Sequence, residues 1–278
     1  MRCLTCGVDN PLEARFCYNC GAPMPVPLAT GDLVPRELGG LIEYTFEVYR
    51  SRFGAFFAIA LIAQVIPLAS TLLPISDLTS WPSIVLSVAS IAFGVVAQGA
   101  TAIAVADWRL GREIGAGWCY RRALNRVGPL LGSAAVVAGA LALSALLAWA
   151  VVGIFLFVYL LVAWFFCFQA VMLEGKDTLQ ALGRSRELVR GNWLRVFGIG
   201  AAYVITLMCI GILALIPVSV AAALSPIAAS ALASLTSGAI MPVLYIGSTL
   251  VYMDLRIRRE GHNLEAMASE LEVRPSLY

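Results

Sequence analysis

Long apolar stretches without a single charge alternate along this chain with short charged segments. A helix rises about 1.5 Å per residue, so about 20 apolar residues carry it across a bilayer core. Six stretches reach that length, approximately Gly54–Leu73, Ile84–Ala106, Gly128–Trp149, Val151–Leu173, Val196–Val218 and Ile227–Tyr252. The third and fourth are nearly continuous. A run from Gly128 to Leu173 is roughly twice one span, so a tight hairpin is expected to turn near Ala148–Gly153. The fold expected is an all-α polytopic membrane protein of six transmembrane helices.

Composition agrees with that reading. Hydrophobic residues make up 60% of the 278-residue chain, whereas about 45–50% is usual for a soluble domain. The mean hydropathy is +0.85. Net charge, +2, says little alone; its placement says more. All 19 Lys and Arg fall in four segments: 5 in residues 1–53, 5 in 107–127, 5 in 174–195 and 4 in 253–278. Cytoplasmic loops are the ones enriched in Lys and Arg. Both termini are therefore expected on the cytoplasmic side of the cell (inner) membrane, with Asp77 the only charge on the opposite face. No early h-region resembles a signal peptide, so the first span is read as an uncleaved anchor.

Inside the six spans there is no Lys, Arg, Asp, Glu or His. Ionisable groups in the membrane mark ion pathways and proton relays, and their absence argues against an ion-coupled transporter. Gln64, Gln98 and Gln169 are read as hydrogen-bonding glue between helices. Pro67, Pro217 and Pro242 are expected to kink or interrupt their helices. Gly128-x-x-x-Gly132 suits close helix contact, and the single Cys119, Cys167 and Cys209 suit packing.

The charged segments repeat. Phe46–Gly54, Tyr120–Gly128 and Leu188–Gly198 can be laid beside one another, each before a pair of spans, which suggests three units of one interfacial helix plus a helical hairpin. In the first, Leu38, Leu41, Ile42, Thr45, Val48, Tyr49 and Phe53 share one helical face while Glu43, Glu47 and Arg50 take the other. Gly115 and Gly117 weaken the second, which is expected to be partly loop. In the third, Asp177 and Gln180 have capping-box spacing. Its Arg184, Arg186, Arg190 and Arg195 are candidate contacts for anionic lipid headgroups, each cation contributing about 1 kcal/mol near an anionic leaflet. Asp107, Glu174 and Asp254 close the even-numbered spans and are expected to pair with neighbouring Arg109, Lys176 and Arg256.

The runs "FEVYRSRFGAFF" (46–57) and "LEGKDTLQALGRSRELVRGNWLRVFGI" (173–199) resemble motifs of the membrane domain appended to some glycerophosphoryl diester phosphodiesterases, and of related stand-alone six-helix proteins. The resemblance covers most of residues 36–262. It implies a non-catalytic membrane domain, because the family's phosphodiesterase barrel has no counterpart in this sequence. The catalytic inventory is otherwise thin: His262, the one histidine, sits in a polar tail.

The strongest chemical signal lies at the start. Cys3-x2-Cys6 and Cys17-x2-Cys20 can each place two thiolates on a tight knuckle, and two knuckles complete a closed tetrahedral sulfur site of the structural Zn²⁺ kind. Gly7 and Gly21 follow the knuckles, where backbone amides must turn toward sulfur. Disulfides would need an oxidising compartment, and a redox site would need one CxxC in a βαβ frame. One structural zinc is expected, as a staple for a module with too little apolar residue for a core. Arg2 and Arg15 are balanced by Asp9 and Glu13, so no basic surface for nucleic acid is present. The organisation is thus a zinc ribbon (1–22), a Pro-rich linker (23–35), a six-span domain (36–262) and a polar tail (263–278).

These readings add up to a non-enzymatic integral membrane protein that presents a ribbon to a cytoplasmic protein partner. Its membrane domain would serve lipid interaction, membrane organisation or partner assembly. The alternative is a facilitator for a lipid-like or neutral solute, using the glutamine-bearing bundle as its path.

Overall fold

A computed structural model describes residues 6, 8, 17–21, 37–70, 80–147 and 151–260. The Pro-rich linker, the polar tail with His262, Asp77 and the middle of the expected hairpin turn lie outside the described residues. From Leu38 onward the described chain is helical: α1 (Leu38–Ser51), α2 (Phe53–Ser70), α3 (Trp81–Arg109), α4 (Ala116–Leu124), α5 (Val127–Leu146), α6 (Val152–Ala163), α7 (Cys167–Leu173), α8 (Thr178–Val189), α9 (Trp193–Leu224) and α10 (Pro226–Glu260).

Among the described residues, six candidate spans are long and apolar enough to cross a membrane: α2, α3, α5, α6 with α7, α9 and α10. Their ends differ from the sequence expectation. α9 runs to Leu224 rather than Val218, and α10 continues past Tyr252 to Glu260. The extension of α10 is charged, and it is stitched by i,i+4 ion pairs between Asp254 and Arg258 at 2.9 Å and between Arg256 and Glu260 at 3.3 Å. Pro67, Pro217 and Pro242 do not interrupt their helices. The interruption falls instead within the fourth span, between Ala163 and Cys167, where the sequence has neither Gly nor Pro.

Side-chain chemistry from another helix explains that break. The Ser185 hydroxyl, on α8, donates to the carbonyl of Ala163 at 2.8 Å and accepts from the amide of Phe166 at 3.1 Å. Backbone groups freed from a helix ladder at membrane depth must find such partners.

The second helix of each hairpin is central. Val96 to Asp107 of α3 except Gln98, all of α7 except Phe168, and most of Val243 to Arg256 in α10 are buried. The short amphipathic helices pack on these central helices: α4 on α3, α8 on α7, and α1 on α10. α4 forms a helix despite its glycines, with Gly115 as the residue before its first turn. On α1 the inward face is Leu41, Tyr44, Thr45, Val48 and Tyr49, while Glu43, Glu47 and Arg50 are exposed. Phe53, expected on that face, is exposed because α2 has already begun there. Gly111 (φ +68°) and Gly175 (φ +60°) follow α3 and α7 in the left-handed region. There the amides of Arg112 and Lys176 reach back to the carbonyls of Asp107 and Ala170 and close the helix ends.

Two close approaches fix the packing. A Cβ on Gly247 of α10 would lie 2.5 Å from the ring of Tyr203 of α9, and one on Gly132 of α5 would lie 2.5 Å from Thr178 Oγ1 of α8. Gly128, its partner in the small-residue motif, meets nothing within 4 Å. Gln169 does act between helices, donating to Ser248 Oγ at 2.8 Å in the buried centre.

Away from the charged end, burial falls off and large apolar side chains face outward, among them Ile91, Phe155, Ile212, Leu213 and Leu224. No residue in the most apolar window of α9 is buried, although its mean hydropathy is 2.6. A surface of that kind is compatible with lipid and not with water.

Candidate functional site

The described cysteines at the start of the chain come together. The sulfurs of Cys6, Cys17 and Cys20 all lie within 4.8 Å of one another, with Cys6 and Cys17 3.5 Å apart. Cys17 is buried, Cys6 half-buried and Cys20 exposed. The second knuckle is closed by the Gly21 amide, which donates to the Cys17 carbonyl at 2.9 Å, and Gly21 adopts φ +66°. A zinc ion with Zn–S bonds of about 2.3 Å sets its sulfurs roughly 3.8 Å apart. Three thiols already gathered at that spacing fit a tetrahedral thiolate centre. Cys3, the expected fourth ligand, lies outside the described residues. Bound there, zinc would supply a structural crosslink with its positions filled by sulfur rather than an open catalytic site.

At the charged end of the bundle, carboxylates and guanidinium groups form a linked set. Glu174, which follows α7, is nearly buried and sits 2.8 Å from Arg184 and 3.3 Å from Arg256. The Tyr252 hydroxyl also donates to it. Arg184 and Arg256 both continue to Glu260. Burial works against the charge on Arg184, but the hydrogen bonds and attraction of Glu174 and Glu260 outweigh it and hold the guanidinium more firmly protonated than usual. Asp254 receives Arg195 at 3.3 Å and Arg258 at 2.9 Å. Asp107 faces Arg112 at 3.8 Å. The three carboxylates at the ends of the even spans are thus ion-paired, as their setting suggested, but with other partners. Arg256 serves Glu174 rather than Asp254, and Arg109 lies over the ring of Tyr44 at 5.2 Å.

The four arginines marked as headgroup candidates divide in two. Arg184 and Arg195 are turned inward to Glu174 and Asp254. Arg186, on α8, and Arg190, just past its end, are exposed, and they line a cleft with Tyr159, Ala163 and Trp193. Neither has an ion-pair partner among the described residues. Sequence reasoning could not separate the pairs, because the sorting depends on where α7 and α10 end against α8. It also missed Ser185, a small polar residue in a helix whose role depends on a break 19–22 residues earlier in the chain.

The amino-terminal cluster has a counterpart among known proteins. No curated protein and no solved structure matches the chain. Residues 2–24 match the family of zinc-ribbon domains, and this is the stretch that carries the gathered cysteines.

Proposed function

We propose that this chain is a non-enzymatic multi-pass protein of the cytoplasmic membrane that carries one structural zinc ion in an amino-terminal ribbon, with both termini in the cytoplasm. The membrane domain serves lipid interaction, membrane organisation or assembly of a partner. The observation that carries the reading is a thiol cluster of zinc spacing joined to a helical bundle whose outer surface suits only lipid. The order of a short amphipathic helix before each pair of spans supports three repeated units and the resemblance to the phosphodiesterase-associated membrane domain. Tyr18, 76% exposed on the second knuckle, and Val8, just after the first, offer a protein partner two apolar handles beside the metal.

The test is elemental analysis of the purified full-length protein and of Cys17→Ser. About one zinc per chain in the former, lost in the latter with the helical content unchanged, is the expected result. No zinc in either variant would reject the ribbon reading.

A second reading, a facilitator for a lipid-like or neutral solute, draws on the interrupted fourth span and on Gln169, whose Oε1 is buried without a partner among the described residues. Broken helices and polar groups at depth accompany transport pathways. Reconstituted vesicles that pass a neutral solute or exchange lipid between leaflets only when the protein is present would favour it over the scaffold.

A further inference from the structure

Where α6 stops at Ala163, the exposed face of α8 and the first turn of α9 meet it to form a cleft of about 650 Å³. That volume lies within the ~300–1,000 Å³ typical of small-molecule sites. Its walls differ in character. Tyr159 and Ala163, one turn apart on α6, make the membrane side, and Arg186 of α8 and Arg190 just past its end supply positive charge. Trp193 opens α9 between them. Its indole stacks on Phe197 at 5.4 Å, and its Nε1 is shut off from solvent with no acceptor among the described residues.

The electrostatics of the cleft are unbalanced by its own residues. Glu187 also lines it, but that carboxylate faces Arg184 at 3.4 Å, and the Glu187 carbonyl accepts from Arg259. Arg186, on α8, and Arg190, the residue that ends it, have no ion-pair partner among the described residues. The start of α9 adds to the positive side, since Asn192 makes no side-chain cap and the amides of the first turn carry the positive end of a 32-residue helix. Two guanidinium groups on one cleft make a donor set for an acceptor with several oxygens and a negative charge. Phosphate is that acceptor, because guanidinium geometry matches two of its oxygens at once.

We propose that the cleft binds a phosphate-bearing anion, with Arg186 and Arg190 on the phosphate oxygens and the Trp193 ring as a wall beside them. The inference deepens the lipid reading above and rests on it for one of two sources: a phospholipid headgroup entering beside Tyr159, or free phosphate. The aromatic, membrane-side wall suits the acyl end of a lipid, while the donors would serve either source.

The experiment uses the full-length protein in detergent micelles doped with equal amounts of phosphatidylglycerol and a phosphate-free glycosyl diacylglycerol, with retained lipid counted by native mass spectrometry. Wild type is expected to retain the phosphatidylglycerol. Arg186→Gln/Arg190→Gln should retain at least about ten-fold less, the scale of losing charge-assisted hydrogen bonds, while Trp193→Phe, which keeps both guanidinium groups and an aromatic wall, should stay close to wild type. Arg121→Gln, an exposed cation on α4 away from the cleft, should behave as wild type. Thermal melts of the two single arginine variants, each expected to lower retention, guard against misfolding of the double variant.

Equal retention in the double variant and in Arg121→Gln would overturn the cleft while leaving a general lipid role standing. The second arm titrates inorganic phosphate in lipid-free detergent and follows the part of the tryptophan emission lost in Trp193→Phe. A saturable response without lipid preference supports the cleft with free phosphate as its ligand and removes the lipid reading. No lipid preference and no phosphate response would overturn both.

Discussion

Ser185 donates its hydroxyl to the carbonyl of Ala163, 22 positions earlier, at the point where the fourth span stops being a helix. The same oxygen accepts from Phe166 on the far side of the gap, so one small side chain completes both ends of an interrupted backbone. Ser185→Ala leaves a buried carbonyl and a buried amide without that partner, which costs about 1–3 kcal/mol. Ser185→Thr, which keeps the hydroxyl, should cost less, and Ser185→Val more than Ser185→Ala. Thermal unfolding in detergent, followed by circular dichroism, would rank them; equal melting for Ala and Thr would show that the hydroxyl does not hold the break.

Glu174 is the hub of the charged end, shared by Arg184, Arg256 and Tyr252. Glu174→Gln partly strands two guanidinium groups, which keep Glu260, so it should cost less than the about 3–5 kcal/mol of a buried pair broken outright on one side. The loss should shrink when Arg184→Met is added, because the stranded charge goes with it. A double-mutant cycle on melting temperature measures that coupling, and strict additivity would show that the contact contributes nothing.

Gly247 gives Tyr203 its place. With the ring 2.5 Å from where a Cβ would stand, Gly247→Ala forces Tyr203 aside and disturbs its hydrogen bonds to Thr45 Oγ1 at 2.5 Å and to the Leu41 carbonyl at 3.2 Å. Overpacking of this kind costs about 1–3 kcal/mol. Unlike Gly247, Gly128 has open space around it, so Gly128→Ala should leave the melting temperature unchanged or slightly raised.

Thiol chemistry separates the cysteines. Cys119 is buried in α4, and burial first, then the nearby Asp107 charge, pushes its thiol from 9.0 up to about 12. Below pH 9 the thiol is protonated in both folded and unfolded chains. Between pH 9 and about 12 only the unfolded chain ionises, so stability held at neutral pH declines across that window. Maleimide at pH 8 should therefore spare Cys119 until the chain is unfolded, whereas a zinc chelator alone should expose Cys6, Cys17 and Cys20. Labelling sites read by peptide mass spectrometry decide it, and native labelling of Cys119 would contradict its burial.

Lipid imposes a demand that a sequence displays openly, and for that reason the six spans could be read from uninterrupted apolar length. The cysteine knuckles were legible for a similar reason: metal geometry fixes spacing within a few residues. What stayed hidden depends on contacts distant in sequence. The break after Ala163 has no local marker, since its cause is a serine on α8. The continuation of α10 beyond Tyr252 rests on charge pairs that a hydropathy rule counts as an end. Glu174 found Arg256 rather than Lys176 because α10 returns beside α7, a neighbour relation that the order of residues does not announce.

The first short helix has its anchor at the other end of the chain. Tyr49 of α1 donates to the carbonyl of Ala239 in α10, 190 positions later, and Thr45 meets Tyr203 of α9. During synthesis the helix that leads from the ribbon into the membrane therefore emerges long before its seat exists. It must wait at the membrane surface until the last hairpin inserts. Completion of the bundle and fixation of its amino-terminal helix are thus one event, and a nascent chain stopped before α9 would leave α1 undocked, however well its earlier spans had formed.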